Sequence, residues 1–473
     1  MWLGKLSPAD EAGFSVVINQ PDPDLDIEIY CQRNENASPQ NNREIFVLQF
    51  QPSKAPSLMP PLWSRSFNTR LTSSEISQQF RNPGDIFSVL LILGGDVVCR
   101  AIAQLAGAGI VPVSFSFGWV AYIVTALLTA IGERRLMPYP DSPCLVINAR
   151  SEYVRENRSW IIGRIMRDFE VWMDEGRSDG PIRRRLNQML DQRWEKTRQD
   201  ADKVQPGTSA SIPRPTKAGL CVSVFHAEQA QPGYHGYDLL YYMGIATAVV
   251  QLGIAAIPLG IWGDWGVFLV TAAGIVLSFT TASLPQWAQE KWACRRNSRK
   301  TVILTRGNGS QHAIVIVGTG KGLDLEDLAS GPIDMDVSRG SWTSVSLMIL
   351  AILWIVLLII AAGLQQSTWF LLATGGLGIV ENILVAGWPR RPEAFGVRLT
   401  FKEVIGEPRV MEAIFAVEEA YPRVGLAMVD IFFPGRLSPK EKERWNELRQ
   451  LADALDESRR EDDKTSIACS STS

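Results

Sequence analysis

The stretch IFSVLLILGGDVVCRAIAQLAGAGIVPVSFSFGWVAYIVTALLTAI, Ile86–Ile131, decides the fold class of this chain. It divides into two apolar segments at the short turn Ala106–Gly109. Each segment has about 20 residues, the length that crosses roughly 30 Å of hydrocarbon when a helix rises about 1.5 Å per residue. The stretch therefore predicts a transmembrane helical hairpin.

Two further apolar stretches have the same build, Leu239–Leu284 with a turn at Gly260–Trp265, and Val345–Trp388. Long polar segments separate the three stretches, so the average composition resembles that of a soluble protein and hides them. The predicted fold class is an α-helical polytopic membrane protein, with six transmembrane helices in three hairpins and an α+β cytoplasmic domain assembled from the long inter-hairpin segments.

The predicted organisation has eight parts. They are an N-terminal cytoplasmic segment (1–85), transmembrane hairpin 1 (86–131), a cytoplasmic segment (132–238), transmembrane hairpin 2 (239–284), a cytoplasmic segment with a β-hairpin (285–344), transmembrane hairpin 3 (345–388), a C-terminal cytoplasmic segment (389–456) and a disordered tail (457–473).

The orientation follows from the basic residues. The turn inside each hairpin has no Lys or Arg, whereas the long segments carry arginines beside the apolar stretches, as at Arg134 and Arg135, Arg295 and Arg296, and Arg390 and Arg391. Because Lys and Arg are enriched in cytoplasmic loops, the long segments and both termini are expected in the cytoplasm. The lipid bilayer is the first predicted partner.

Charge and motifs argue against several functional classes. A net charge of −3 over 473 residues gives no basic domain for nucleic acid. The six cysteines have no CxxC spacing, and the three histidines form no HExxH motif, so no metal or cofactor site and no catalytic residue is predicted. The glycine-rich run Gly318–Gly322 fails the Walker pattern, because Val315 and Gly322 replace its first glycine and its Ser/Thr. A plain turn is the favoured interpretation there.

Four polar residues lie inside the predicted spans. Asp96, Arg100 and Gln104 follow i, i+4, i+8 spacing on one helix face, and Glu381 is expected at a similar depth in the sixth helix. Ionisable groups at that depth face the bundle interior and pair. Arg100 is therefore expected to pair with Asp96, Glu381 or both, either as a structural ion pair or as a transport site.

The polar segments contain strand and helix patterns. Strands are predicted at Ile27–Tyr30, Ile45–Phe50, Cys144–Asn148, Leu220–Phe225, Thr301–Thr305, His312–Val317 and Val397–Val404. Those near Cys144, Cys221 and His312 are expected in one sheet. Helices are predicted at Ile162–Met173, which either lies on lipid or packs on its own domain, at Arg183–Arg198, Val410–Ala420 and Ser438–Leu455.

Four stretches resemble a family of uncharacterised multi-pass membrane proteins of filamentous fungi. They are NPGDIFSVLLILGGDVVCRAIAQLAGAGIVPVSFSFGWVAY (Asn82–Tyr122), SLPQWAQEKWACRR (Ser283–Arg296), TVILTRGNGSQHAIVIVGTGKGLDLEDLA (Thr301–Ala329) and VAGWPRR (Val385–Arg391). The resemblance extends over roughly residues 80–435. It implies the same multi-pass topology, and because that family has no assigned activity, it implies no catalytic residue.

Two functions of different classes fit these patterns. The first is a membrane-anchored cytoplasmic binding or scaffolding module with a cytoplasmic protein partner, since most of the chain lies outside the predicted spans. The second is a transporter or channel that uses Asp96, Arg100 and Glu381. An enzyme is the third and weakest interpretation, because the chain offers no catalytic motif.

Overall fold

The computed structural model describes residues 94–132, 135–204, 212–331, 337–364, 366–435 and 437–470. Several predictions lie outside these residues. They are the two strands within 26–50, the first part of the first predicted transmembrane helix and the placement of the N-terminal segment.

The helices of the described residues are α1 (Gly95–Leu105), α2 (Gly118–Gly132), α3 (Trp160–Arg167), α4 (Phe169–Trp172), α5 (Pro181–Val204), α6 (Leu239–Trp262), α7 (Gly266–Ala282), α8 (Pro285–Lys291), α9 (Leu325–Ser330), α10 (Val337–Gly363), α11 (Thr368–Gly387), α12 (Val410–Ala420), α13 (Val424–Phe432) and α14 (Pro439–Ser470). A 3₁₀ turn covers Pro392–Phe395. The strands are β1 (Leu145–Asn148), β2 (Val154–Glu156), β3 (Leu220–Ala227), β4 (Arg296–Ser298), β5 (Val302–Thr305), β6 (His312–Val317), β7 (Gly322–Leu323) and β8 (Leu399–Glu407).

Four helical stretches are long and apolar enough to cross a membrane: α6, α7 continued through α8 to Lys291, α10 from Trp342, and α11. They form the second and third predicted hairpins. The connection between α6 and α7 is tight because Gly263 ends α6 with a φ of 70°, a left-handed conformation that glycine adopts without strain. Asp238 begins α6, where its carboxylate accepts from the Tyr241 N–H.

The first predicted hairpin has a different structure. Helix α1 ends at Leu105, the backbone from Ala106 to Phe117 has no helix or strand, and α2 begins only at Gly118. The prediction of a short turn at Ala106–Gly109 followed by a helix from Ile110 is therefore wrong. Pro112 has no N–H, and its ring obstructs a helix through the preceding turn, so this part of the chain does not continue as a regular span.

The connecting segment 106–117 lies inside the helical bundle. Its side chains from Val111 to Phe117, apart from Pro112 and the two serines, belong to the apolar core of the bundle. Glycines on three helices make room for it: a Cβ at Gly244 would lie 1.9 Å from the Pro112 oxygen, and one at Gly274 would lie 2.4 Å from the Phe115 ring. Only glycine permits so close an approach of another chain segment.

Segment 106–117 enters the bundle at the end where α6 begins, and helix α2 brings the chain back to that same end. Near α6's first residues, the Tyr241 hydroxyl donates to the Ile110 oxygen at 3.2 Å. About 15 Å further along α6, Gln251 Nε2 donates to the Phe115 oxygen at 2.7 Å. Helix α2 then returns, and the N–H of Leu136 reaches Glu290 in α8. The described part of the first hairpin thus reaches mid-bundle and turns back.

The segments between and after the long apolar helices supply one six-stranded sheet in the order β2-β1-β5-β6-β3-β8. Strands β3 and β6 are parallel, with Cys221 opposite His312, and the other pairs are antiparallel. The expected β5–β6 hairpin is present, with Thr305 opposite Ala313. The prediction that the strands near Cys144, Cys221 and His312 share a sheet is confirmed.

Helices cover both faces of this sheet. Helices α3 to α5 pack on one face through Ile165, Phe169 and Trp172, and α12 to α14 pack on the other through Ile414, Met428 and Trp445. The predicted amphipathic helix Ile162–Met173 is therefore part of the domain core. Since its apolar side chains are already covered by the sheet, that face is not available to lie on lipid.

At the C-terminal end, α14 continues to Ser470, so the predicted disordered tail from residue 457 is wrong for residues 457–470. The sequence of this region is rich in charged residues of both signs, which are good helix formers and stabilise a helix when opposite charges are three or four residues apart. Composition alone does not distinguish such a helix from a disordered tail.

Candidate functional site

Asp96 and Arg100 form the expected ion pair, with 3.0 Å between Arg100 Nε and Asp96 Oδ2. The pair lies on the outer face of α1, because 46% of the Arg100 side chain and 71% of the Asp96 side chain are exposed. An exposed i, i+4 pair of this kind contributes little to stability. It does not face the interior of the bundle.

Glu381 lies elsewhere, inside the bundle, with 3% of its surface exposed. The hydroxyl and N–H of Ser114 face its carboxyl group, but neither carboxyl oxygen has a hydrogen bond of good geometry. Within the residues that the structure describes, it forms no ion pair with Arg100. Arg100 thus pairs with Asp96 and not with Glu381.

Gln104, at the last turn of α1, is fully buried at the junction between bundle and sheet domain. Its Nε2 donates to the Trp388 oxygen at 3.0 Å. Its own backbone oxygen accepts from Arg390 Nη1 at 2.7 Å and from Lys291 Nζ at 3.1 Å. Gln104 therefore belongs to a network that joins the ends of α1, α8 and α11.

Arg390 is the centre of this junction. Its guanidinium forms an ion pair with Asp238 at 2.8 Å, and it donates to the His235 oxygen at 2.8 Å. Its N–H donates to Asp168 Oδ2 at 3.1 Å. One buried side chain thus connects the start of α6, the end of α11 and the helix α3–α4 region. In the sequence, Arg390 was informative only for the orientation of the chain.

Two further arginines satisfy carbonyl groups at the C-terminal end of α11. Arg164 donates to the Ala386 oxygen at 2.6 Å, and Arg167 donates to the Gly387 oxygen at 3.1 Å. Cations are favourable there because the last carbonyls of a helix have no intrahelical partner. Burial lowers the pKa of Arg164 to about 10, and the nearby Asp141 opposes that shift.

Side chains also satisfy the backbone of segment 106–117, which has no regular hydrogen bonding of its own. Gln251 Nε2 bridges the oxygens of Phe115 and Thr374 at 2.7 and 2.8 Å. Asn382 Nδ2 donates to the Ser114 oxygen and to Ser116 Oγ, both at 3.2 Å. Irregular backbone buried inside a protein needs such partners, because an unpaired buried N–H or C=O group costs free energy.

A cavity of about 670 Å³ lies at one end of the sheet. It is bounded by the last residues of β3, the first residues of β8, the middle of β4 and the loop that follows β6. The carboxyl ends of the parallel strands β3 and β6 therefore meet at it. In sheets with parallel strands, this edge is where ligands bind most often.

The residues that line the cavity are of polar types, apart from Ala227. They include the basic side chains of His226, Lys321 and Arg398 and one carboxylate, Glu228. Arg398 donates to the Gln231 amide oxygen at 3.2 Å, and Thr400 donates its hydroxyl to Glu228. The cavity lining therefore has more positively charged than negatively charged side chains. Its one carboxylate, Glu228, accepts a hydrogen bond from Thr400.

The loop Gly318–Gly322 forms one wall of this cavity. Thr319 donates its hydroxyl to the Ala227 oxygen, which ties the loop to the end of β3. Gly320 has a φ of 81°, and a Cβ at Gly318 would lie 2.5 Å from the Lys300 oxygen. These glycines allow the loop to lie against two strands and to present Lys321 to the cavity.

Sequence reasoning missed this site. The run Gly318–Gly322 was visible, but failure of the Walker pattern favoured a plain turn. Arg398 and His226 belong to segments more than 70 residues away from it and from each other, and no local signal connects them. Pairing of β3 with both β6 and β8 brings the three together.

Among the described residues, no group of three or more His, Cys, Asp or Glu side chains is arranged to hold a metal ion. Cys144, Cys221 and Cys294 are free thiols, and burial raises the pKa of each to about 12. Comparison with protein-family models, with curated proteins and with solved structures gives no match for this chain.

Proposed function

We propose that this chain is a membrane-anchored binding module, whose sheet domain holds a small polar ligand in the cavity between Lys321 and Arg398. In this proposal α6, α7, α10 and α11 span a lipid bilayer, the sheet domain and both termini are cytoplasmic, and the described part of the first hairpin enters the membrane and returns on the cytoplasmic side. The kinship with multi-pass fungal membrane proteins belongs to the same proposal.

Exposed aromatic side chains support the placement in a membrane. On α6, Tyr242 and Trp262 are 58% and 63% exposed and about 30 Å apart along the helix axis. Trp369 and Trp388, at the two ends of α11, repeat this spacing. Aromatic belts at this separation match the hydrocarbon thickness of a bilayer, and the helix surface between them is apolar.

The charge distribution supports the orientation. The connections 263–265 and 364–367 at the far end of the bundle have no Lys or Arg. The near end has Arg164, Arg167, Lys291 and Arg390, and the positive-inside rule assigns such an end to the cytoplasm.

The single observation that carries the binding function is the position of the cavity in the chain. Its walls come from four segments, and two of them connect directly to a helix of the bundle: 228–238 leads to α6, and 389–398 follows α11. The bundle therefore fixes these two walls relative to each other. Ligand sites are concave and largely pre-formed, and a cavity with two walls fixed in this way meets that description.

A ligand screen on the purified full chain in nanodiscs tests this function. We expect at least one small polar compound to raise the melting temperature of the wild-type protein, and the change Thr319→Tyr, which fills the cavity mouth, to abolish that rise. The control is Lys402→Ala, on β8 but outside the cavity lining. If a cytoplasmic protein binds and no small molecule does, the scaffolding function replaces this one.

Ion transport is the second candidate, and the buried carboxyl of Glu381 beside the non-helical segment 106–117 favours it. Broken helices at mid-membrane depth are a feature of many transporters. Proteoliposome flux measurements distinguish the two functions. A proton or cation flux that Glu381→Gln abolishes would favour transport, whereas an absence of flux favours the binding module.

A further inference from the structure

We infer that the ligand of the cavity is a phosphorylated polyol, such as an inositol phosphate or a sugar phosphate. This inference rests on the proposed binding function and names the chemical class that the cavity fits. It has three parts: the unbalanced positive charge, the polar groups beside that charge, and the lack of aromatic side chains in the lining.

The positive charge at the cavity has little internal compensation. Lys321 has no ion pair or hydrogen bond from its ammonium group within the described ranges. The guanidinium of Arg398 donates to the neutral amide of Gln231 and, among the described residues, forms no ion pair, although the Glu393 carboxylate lies near enough to interact with its charge. By contrast, Lys300, on the other side of the same loop, pairs with Asp324 and Glu326 at 3.0 and 2.8 Å. The two cavity cations are thus available to an anion.

A third cation stands close by. A Cβ at Gly320 would lie 3.4 Å from the Nε of Arg299, so that guanidinium lies beside the loop residue between the cavity residues Thr319 and Lys321. Multiple cations around one concave site favour an anion of more than one charge, and phosphate groups provide both charge and several acceptor oxygens.

The uncharged polar side chains and the single carboxylate of the lining can form hydrogen bonds with hydroxyl groups of a ligand. Glu228, Gln229 and Asn297 line the cavity together with the hydroxyls of Thr319 and Thr400. A carboxylate and two amides accept from and donate to the hydroxyl groups of a sugar or cyclitol ring. A carboxylate would repel a simple polyanion, so its presence beside the cations selects a ligand that has hydroxyls next to its phosphates.

The lining also argues against a nucleotide. It contains no Phe, Tyr, Trp or long aliphatic side chain, and Ala227 is its one aliphatic residue. Proteins commonly hold a nucleobase by stacking it on an aromatic side chain. The loop moreover lacks the Walker Ser/Thr that ligates magnesium, because residue 322 is glycine. Binding of a phosphorylated ring without a base is the chemistry that remains.

Titration calorimetry on the full chain in nanodiscs of neutral lipid tests the inference. The probes are inositol 1,4,5-trisphosphate, glucose 6-phosphate, unphosphorylated myo-inositol and ATP. We expect the two phosphorylated polyols to bind and myo-inositol and ATP to bind at least about tenfold more weakly. Lys321→Ala and Arg398→Ala should each weaken trisphosphate binding about tenfold or more, and Lys402→Ala should leave it unchanged.

A second arm separates the two sources of such a ligand. Nanodiscs that contain a phosphoinositide lipid are titrated with the soluble trisphosphate. If the lipid abolishes binding of the soluble probe, its headgroup reaches the cavity and the source is the membrane; if it does not, the source is a free metabolite. Both results support the inference about the chemical class.

Two results would overturn it. If myo-inositol or another neutral compound binds and the phosphorylated probes do not, the inference fails while the binding function stands. If no compound of any class binds to a folded protein whose melting temperature is that of the wild type, the proposed function fails as well.

Discussion

The backbone oxygen of Phe115 lies 1.7 Å from the point where a Cβ on residue 378 would be. Gly378 and Phe115 thus occupy adjoining space in the middle of the bundle, and the same oxygen accepts from Gln251 Nε2 at 2.7 Å. This contact holds a non-helical segment among helices, and it decides how the first hairpin can be built.

Gly378→Ala should therefore destabilise the bundle. Since the contact is with backbone rather than with a flexible side chain, α11 or the segment 106–117 must move, and we expect a loss of about 1–3 kcal/mol or more in unfolding free energy. Unfolding of the purified protein in mixed micelles measures it. Gly376→Ala is the matched control, because a Cβ there meets nothing within 4 Å. Equal effects of the two changes would contradict the packing described.

Glu381→Gln should leave stability unchanged or raise it. The buried carboxyl has no cationic partner among the described residues, and the neutral amide of glutamine removes the cost of burying a charge, which exceeds the cost of about 1–3 kcal/mol for an unpaired neutral polar group. The same unfolding assay applies. A loss of about 3–5 kcal/mol would instead indicate a broken buried ion pair.

Arg100→Ala should change unfolding free energy by no more than about 1 kcal/mol, because its pair with Asp96 is exposed. The double variant with Glu381→Gln should show additive effects. Coupling between the two positions would restore the original expectation that Arg100 and Glu381 pair.

The sheet domain should lose stability in mild acid. Burial lowers the pKa of His312 on β6 below its ordinary value of ~6.5. Above that value the imidazole is neutral in both states; as pH falls below it, the unfolded chain binds the proton first, so unfolding free energy decreases until the folded-state pKa is reached. Thermal unfolding between pH 7 and about pH 5 measures this slope. The change His312→Gln should reduce this pH dependence. If the slope is unchanged in the variant, other titratable groups cause the loss of stability in acid.

Cysteine labelling should map the two ends of the bundle. In a variant without native cysteines, a cysteine at Asp264 should react with a membrane-impermeant maleimide on intact cells, since residues 263–265 connect α6 and α7 at the far end. A cysteine at the exposed Asn308, in the β5–β6 turn, should react only after permeabilisation. The reverse pattern would invert the proposed orientation.

Local sequence patterns were sufficient to predict the position of many helices and strands. Helix α12 has the bounds predicted for it, Val410–Ala420, and α6 begins at the predicted Leu239. The reason is that hydrophobic period, caps and turn residues act within a few residues of one another. The candidate polar cluster was not predictable in this way, because depth counted along a helix does not give the direction in which Arg100 or Glu381 points.

By itself, the sequence determined the apolar stretches Leu239–Leu284 and Val345–Trp388 and five of the six strands of the sheet, since length and period follow from consecutive residues. The three-residue strand β2 was not predicted. Tertiary structure alone decided three features: the path of 106–117 through the bundle, the junction around Arg390, and the cavity that joins Lys321 to Arg398. Each depends on groups that are distant in the chain. Their burial requires hydrogen-bond partners that only the folded arrangement supplies.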